Sequence, residues 1–248
     1  MHMVKGLYVI IDLKVVLGDV SRITEDVVKG GANFIQLRAK ETSTREFLRA
    51  GTEIGKICRK NGIPFIINDR VDVALALNSD GVHLGQDDMP VSMARKLIGK
   101  KKLIGLSVHS LEEAAEILPL HFARGQNDTR FGKLSHGERN KPALAPDLIR
   151  GNQEVSGYLE KPDYIGIGPI FSTTTKANAG SPVGTAFVKA IKSEINVPLA
   201  AIGGINSENI GEVIEAGADA AAVCSAILRA DDIRSATEKL ARRIEVAE

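Results

Sequence analysis

Residues 7–18 read LYVIIDLKVVLG. The first five, Leu7–Ile11, form a run of large apolar side chains of the length of one strand buried on both faces. The turn after this run bears on the fold. A doubly wound open sheet normally carries a glycine-rich fingerprint in its first strand-to-helix turn, and Ile11 to Gly18 offers none. Outward from there, seven more short segments rich in Val, Ile or Leu recur: Phe34–Leu37, Pro64–Ile67, Gly81–Leu84, Leu103–Val108, Tyr164–Ile170, Pro198–Ile202 and Ala220–Cys224. Helical stretches alternate with them, such as Thr44–Lys60, Val71–Asn78, Leu111–Leu118, Val183–Glu194, Ser207–Ala216 and Asp231–Ile244. Ser207 and Glu208 ahead of an apolar-periodic run, with Gly217 beyond it, have the form of a capped helix. Parallel strands need covered faces and right-handed crossovers, so eight such units in 248 residues predict an α/β TIM (β/α)8 barrel, a single domain over residues 1–248.

One segment breaks the rhythm. Pro119 to Lys161, between the predicted fifth helix and sixth strand, is rich in Gly, Asn, Arg and Pro through its first half and lacks periodicity before Pro146. If Leu111–Leu118 is the fifth helix, this insertion falls at the N-terminal face of the barrel, away from chemistry. If Asp147–Leu159 is that helix instead, the preceding stretch is a strand-to-helix excursion toward the active face.

Composition narrows the function. Lys and Arg number 32 against 31 Asp and Glu, a formal charge of +1, which argues against a duplex-coating nucleic-acid binder. Aromatic residues are 4% and Trp is absent, which disfavours a single-strand binder built on stacked bases. Cys58 and Cys224 are distant in sequence and form no Cys-x-x-Cys pair, so a reducing cytoplasm is expected. The Leu7–Ile11 run is too short for a secretory signal or a membrane span.

Barrel chemistry belongs at the C-terminal ends of strands. After the second strand, Gln36, Arg38 and Lys40 alternate with Leu37 and Ala39, and a period of two sends all three polar side chains to one side. The third strand ends in Asn68-Asp69-Arg70 and the fourth runs into Gly85-Gln86-Asp87-Asp88. Carboxylates on neighbouring strands can share one Mg²⁺, which takes one or two protein carboxylates and fills its other positions with water and phosphate oxygens. The competing reading makes Asp69 a cap for Val71–Asn78 and Asp88 a cap before Pro90.

Further round, Ser172-Thr173-Thr174-Thr175-Lys176 is a hydroxyl-rich loop closing on a lysine. The seventh strand exits through Gly203-Gly204 and the eighth through Cys224-Ser225, where small residues let backbone N–H groups approach a phosphate. A metal-bound diphosphate and a separately seated phosphate suit group transfer with diphosphate leaving. Ser107 and His109 share a strand end with no carboxylate partner indicated, so no nucleophilic triad is expected. His83, inside an apolar strand, reads as a core or pocket-wall residue rather than a metal ligand.

These segments together resemble the thiamine phosphate synthase family. Gln36-Leu37-Arg38-Ala39-Lys40, Asn68-Asp69-Arg70, Gly81-Val82-His83-Leu84-Gly85-Gln86-Asp87-Asp88, Ser107-Val108-His109-Ser110, Gly166-Ile167-Gly168-Pro169-Ile170-Phe171, Thr173-Thr174-Thr175-Lys176 and Ala201-Ile202-Gly203-Gly204 succeed one another in the family's order, from Leu7 to about Leu228 apart from the insertion. The resemblance implies condensation of hydroxymethylpyrimidine diphosphate with thiazole phosphate, giving thiamine phosphate and diphosphate, through loss of diphosphate and capture of the pyrimidine-methyl cation by the thiazole nitrogen. It implies Mg²⁺ on Asp69 and Asp88, with Gln36, Arg38, Lys40, Asn68 and Ser107 lining the pyrimidine and diphosphate pocket. Thr173, Thr175 and Lys176 would meet thiazole and diphosphate, and Gly204, Cys224 and Ser225 the thiazole phosphate. Lys176, Arg38 and Ser107 are the expected catalytic residues, and a homo-oligomer is compatible with the family.

Two rivals stand beside this reading. A related thiazole tautomerase would use a histidine in a segment like Ser107–Ser110, but it releases no diphosphate and has no need of two metal carboxylates. A non-catalytic phosphate-ligand barrel could bind partners through the insertion, which carries Arg124, Arg130, Lys133, Arg139 and Lys141.

Overall fold

The computed structural model describes residues 4–110, 113–114, 161–173, 175 and 180–247. Eight parallel strands close into a barrel in sequence order: β1 (Gly6–Asp12), β2 (Phe34–Arg38), β3 (Phe65–Asn68), β4 (Gly81–Leu84), β5 (Leu103–Val108), β6 (Tyr164–Ile167), β7 (Leu199–Ile202) and β8 (Ala220–Val223). Each pairs with its sequence neighbour, and β1 closes the ring on β8. All eight predicted strands are present, with shifted ends. Pro64 and Pro198 fall outside their strands, which begin one residue later, and β6 stops at Ile167 rather than Ile170.

The described helices are α1 (Val20–Lys29), α2 (Thr44–Asn61), α3 (Val71–Ala76), α4 (Val91–Ile98), α5 (Gly184–Glu194), α6 (Ile210–Glu215), α7 (Ser225–Leu228) and α8 (Ile233–Ala247). Ser43 opens α2 with a reciprocal cap, its hydroxyl accepting from the Glu46 amide at 3.3 Å and donating to the Glu46 carboxylate at 2.9 Å. The start of α6 differs from expectation. Asn206 and Asn209 fold the chain before it through side-chain to backbone hydrogen bonds of 2.8 Å, and Ser207 caps nothing. Gly217 does end that helix, at φ +102°. Of the predicted helix Leu111–Leu118 only Glu113 and Ala114 are described, and the insertion up to residue 160 lies outside the described residues.

Alternation along the strands sorts two cores. Leu7, Val9 and Ile11 face the helices with Ile35, Leu37, Ile67, Val82 and Ile165. Tyr8, Ile10, Phe34, Ile66, Leu103, Tyr164, Ala200, Ala220 and Ala222 fill the barrel interior. Burial of a large apolar side chain contributes about 1.5–3 kcal/mol, so both layers stabilise the ring.

A fourfold device ties the strand starts. Asn33 immediately precedes β2, Asp163 precedes β6, Asp219 precedes β8 and Asp80 precedes β4, so each stands before an even-numbered strand. Their side chains accept the amides of Leu7, Phe65, Ile104 and Leu199 at 2.7–2.8 Å, and their own amides donate back to the carbonyls of those same residues. The ring is thereby joined in strand pairs at its N-terminal face, which leaves the opposite rim free to carry polar loops.

Candidate active site

Asp12 and Arg38 end β1 and β2 at the same level of the barrel, and register places them side by side. Their side chains form an ion pair, with Asp12 buried. Arg38 is therefore held by a carboxylate that the sequence pattern did not single out. Lys40, two residues on, reaches Asp69 instead, Nζ to Oδ2 3.0 Å. Gln36 points into the interior, where its Nε2 donates to the Tyr8 hydroxyl at 2.9 Å. The alternation expected for these three is present, but they meet three different partners.

Asp69 comes directly after β3 with φ +63°, a left-handed conformation that is uncommon for residues with a side chain. Its amide donates to the His83 carbonyl at 2.8 Å, so the strand pairing runs one step past β3 before the chain turns. Burial pushes the Asp69 carboxyl above its ordinary range, as does the Asp88 carboxyl beside it, against the pull of Lys40. Two acids thus face one another across the ends of β3 and β4. Neither caps a helix: α3 is preceded by Arg70 and α4 by Pro90, without side-chain caps. Asp88 Oδ2 accepts the Gly85 amide at 2.6 Å, which aims it back over the end of β4. Among the described residues no group of three or more His, Cys, Asp or Glu side chains converges as a metal cage.

Asn68 ends β3 opposite His83. Ser107, on β5, meets His83 Nε2 at 3.0 Å, and His83 Nδ1 meets the Tyr164 hydroxyl at 3.1 Å. Burial lowers the His83 imidazole to about 4, partly offset by Asp88, so the ring is neutral at pH 7. His109 does have a carboxylate partner, contrary to expectation. Glu113 Oε2 lies 3.3 Å from its Nδ1 and accepts its amide at 2.8 Å. Ser107 bonds to His83 rather than to that pair, so Ser107, His109 and Glu113 are not arranged as a triad.

The remaining loops meet on the far side. Thr175 Oγ1 donates to Ser225 Oγ at 2.9 Å, and the Thr175 amide donates to Thr173 Oγ1 at 3.3 Å. Gly204, at φ +66°, lies under the loop after β6, and a Cβ there would stand 2.6 Å from the Ser172 carbonyl oxygen. Cys224 precedes α7; burial, then Asp12, pushes its thiol up to about 12, so it stays protonated. Thr174 and Lys176 lie outside the described residues.

Asp12, Tyr8 and Tyr164 were not among the residues expected from sequence. A usable signal was present, because inward positions of neighbouring strands include Gly105 and Gly166, and glycines there leave room for the large polar side chains of Tyr164 and His83.

A parallel barrel with paired carboxylates, cations and hydroxyls at the C-terminal strand ends is the architecture of an enzyme acting on phosphorylated small molecules. The family described as thiamine monophosphate synthase matches residues 7–135 and 152–227, and the chain belongs to it. A thiamine-phosphate synthase of Chloroflexus aurantiacus is 39% identical over 243 residues, covering 98% of this chain and 94% of that relative. One from Methanosarcina barkeri is 39% identical over 224 residues, covering 90% and 81%. The solved thiamine phosphate pyrophosphorylase of Pyrococcus furiosus superposes with a TM-score of 0.74 at 33% identity, covering 98% of this chain and 96% of that one.

Proposed function

We propose that this rim transfers the hydroxymethylpyrimidine group from its diphosphate to thiazole phosphate, giving thiamine phosphate and diphosphate. The activity is that of a thiamine-phosphate synthase, a transferase of thiamine biosynthesis. The bond from the pyrimidine methylene carbon to the diphosphate oxygen breaks with its electron pair staying on oxygen. The thiazole nitrogen then supplies the pair for the new C–N bond.

The observation that carries this reading is the facing of Asp69 and Asp88 beside Lys40. Two hard oxygen donors held close together, with Asp88 raising the cost of ionising Asp69, suit a hard divalent cation, and Asp69 and Asp88 would hold Mg²⁺. When bound, Mg²⁺ supplies positive charge to the departing diphosphate. Arg38, Lys40 and Lys176 add cationic donors where negative charge develops, and Lys176 is the residue assigned to the leaving group. Gln36, Asn68 and Ser107 line the pyrimidine side. Thr173 and Thr175 meet the thiazole, while Gly204, Cys224 and Ser225 seat its phosphate.

Incubation with both substrates and Mg²⁺ should release diphosphate in step with thiamine phosphate. Isomerisation of the thiazole alone, without diphosphate, would assign the site to a tautomerase instead.

A further inference from the structure

Five polar residues cross the barrel interior in one file. Gln36 Nε2 donates to the Tyr8 hydroxyl at 2.9 Å, Tyr8 and Tyr164 hydroxyls are 2.9 Å apart, Tyr164 meets His83 Nδ1 at 3.1 Å, and His83 Nε2 meets Ser107 Oγ at 3.0 Å. Four strands supply the first four residues and a fifth supplies Ser107. The sheet makes room for them: a Cβ at Gly105 would overlap the Tyr164 ring and His83 Nδ1, and one at Gly166 would stand 2.9 Å from His83 Cε1.

The file has a direction, because a phenol has a single proton. Tyr8 receives the Gln36 amide hydrogen, and the arrangement that leaves no hydroxyl proton of the file without an acceptor sends its own proton to Tyr164. By the same requirement the Tyr164 proton goes to His83 Nδ1. That nitrogen is then the bare one, the neutral ring keeps its proton on Nε2, and Nε2–H donates to Ser107. The Ser107 oxygen is thereby engaged as an acceptor, and its hydroxyl proton is left for another partner.

We propose that Tyr8, Tyr164 and His83 are positioning residues that preset the Ser107 hydroxyl as a hydrogen-bond donor to an acceptor atom of the pyrimidine diphosphate. This rests on the reading of Ser107 as a residue of that pocket. It goes beyond that reading in assigning a protonation pattern to Ser107 and a role to three interior residues to which that reading gives none. Without the file, Ser107 could equally donate to a bare Nε2 and present only lone pairs, which would repel an acceptor.

Nitrogen-15 spectra of the histidine-labelled wild-type protein test the pattern directly, with the His83 signals identified by their loss in His83→Gln. The expected result at pH 7 is a protonated Nε2 and a bare Nδ1. A proton on Nδ1, or on both nitrogens, overturns the proposal, and this measurement needs no variant to be active. In Tyr164→Phe, which keeps the ring, a mixture of tautomers is expected. The KM for pyrimidine diphosphate should rise about tenfold, the scale of one lost hydrogen bond, while the KM for thiazole phosphate stays within about twofold. Should Ser107→Ala leave the KM for pyrimidine diphosphate at the wild-type value, the pocket reading fails. Should Ser107→Ala raise it while Tyr164→Phe changes neither KM nor tautomer, only the relay fails.

Discussion

Lys40 Nζ lies 3.0 Å from Asp69 Oδ2, joining the loop after β2 to the end of β3 at the point where Asp69 also meets Asp88. One lysine stands beside this pair of carboxyls, and Asp69 takes a left-handed backbone conformation there. A cation of higher charge is the natural complement. In Asp69→Asn the Mg²⁺ concentration for half-maximal turnover should rise at least about tenfold, since even indirect support of a metal ligand is worth that much. The helix-capping role once open to Asp69 is gone, because α3 begins after Arg70 without a side-chain cap. An unchanged Mg²⁺ titration would therefore remove Asp69 from metal binding without returning it to another assigned task.

Lys176 follows Thr175 in sequence, and Thr175 reaches across to Ser225. If it donates to the leaving diphosphate, its contribution appears mainly in the transition state. Loss of such a donor typically costs about 3 kcal/mol. Lys176→Ala should thus lower kcat at least about a hundredfold, with a smaller change in either KM. Steady-state turnover near the wild-type rate would exclude Lys176 from the chemistry.

The eight strands and the acidic ends of β3 and β4 were legible because each is a local signal: a short apolar run, then a polar residue where the run stops. Partners across the barrel were not. Asp12 and Arg38 are 26 residues apart and Tyr8 and Tyr164 are 156 apart, and only strand register brings them together. The same holds for Asn33, Asp80, Asp163 and Asp219, which read singly as loop residues and acquire a common role only once the strands pair. Ser207 misled for a different reason. It is a good cap by type, yet the side chains of Asn206 and Asn209 fold the preceding turn and delay the helix to Ile210.

Gly204 combines a positive φ with contact against the neighbouring loop, so an alanine there is opposed twice. The left-handed backbone costs roughly 1–2 kcal/mol for a residue with a Cβ, and the overlap with the Ser172 carbonyl must be relieved by moving the loop that carries Thr173 and Thr175. Gly204→Ala should lower the melting temperature and raise the KM for thiazole phosphate about tenfold, leaving the KM for pyrimidine diphosphate near wild type. An equal rise in both constants would indicate general loosening of the barrel rather than a local phosphate seat.

His83 gives the fold a pH dependence of definite sign. In the folded chain burial lowers the imidazole from 6.5 to about 4, with Asp88 pulling the other way, whereas in the unfolded chain it titrates near the ordinary value. Between those limits the unfolded state binds the extra proton. The contribution of neutral His83 is therefore complete above about pH 6.5 and is lost as pH falls toward 4, by at most about 3 kcal/mol. Asp69 acts in the opposite sense, since a carboxyl raised by burial favours the folded state when protonated and loses that advantage as pH rises through its folded value. Replacing His83 leaves the Asp69 carboxyl in place, so the difference between two stability curves isolates the imidazole. Urea unfolding of wild type and His83→Gln from pH 4 to pH 7.5 should show the variant losing less stability on the acid side. Parallel curves would mean that His83 takes up its proton in the folded barrel near pH 6.5, and that the interior around Tyr164 and Ser107 is open to water.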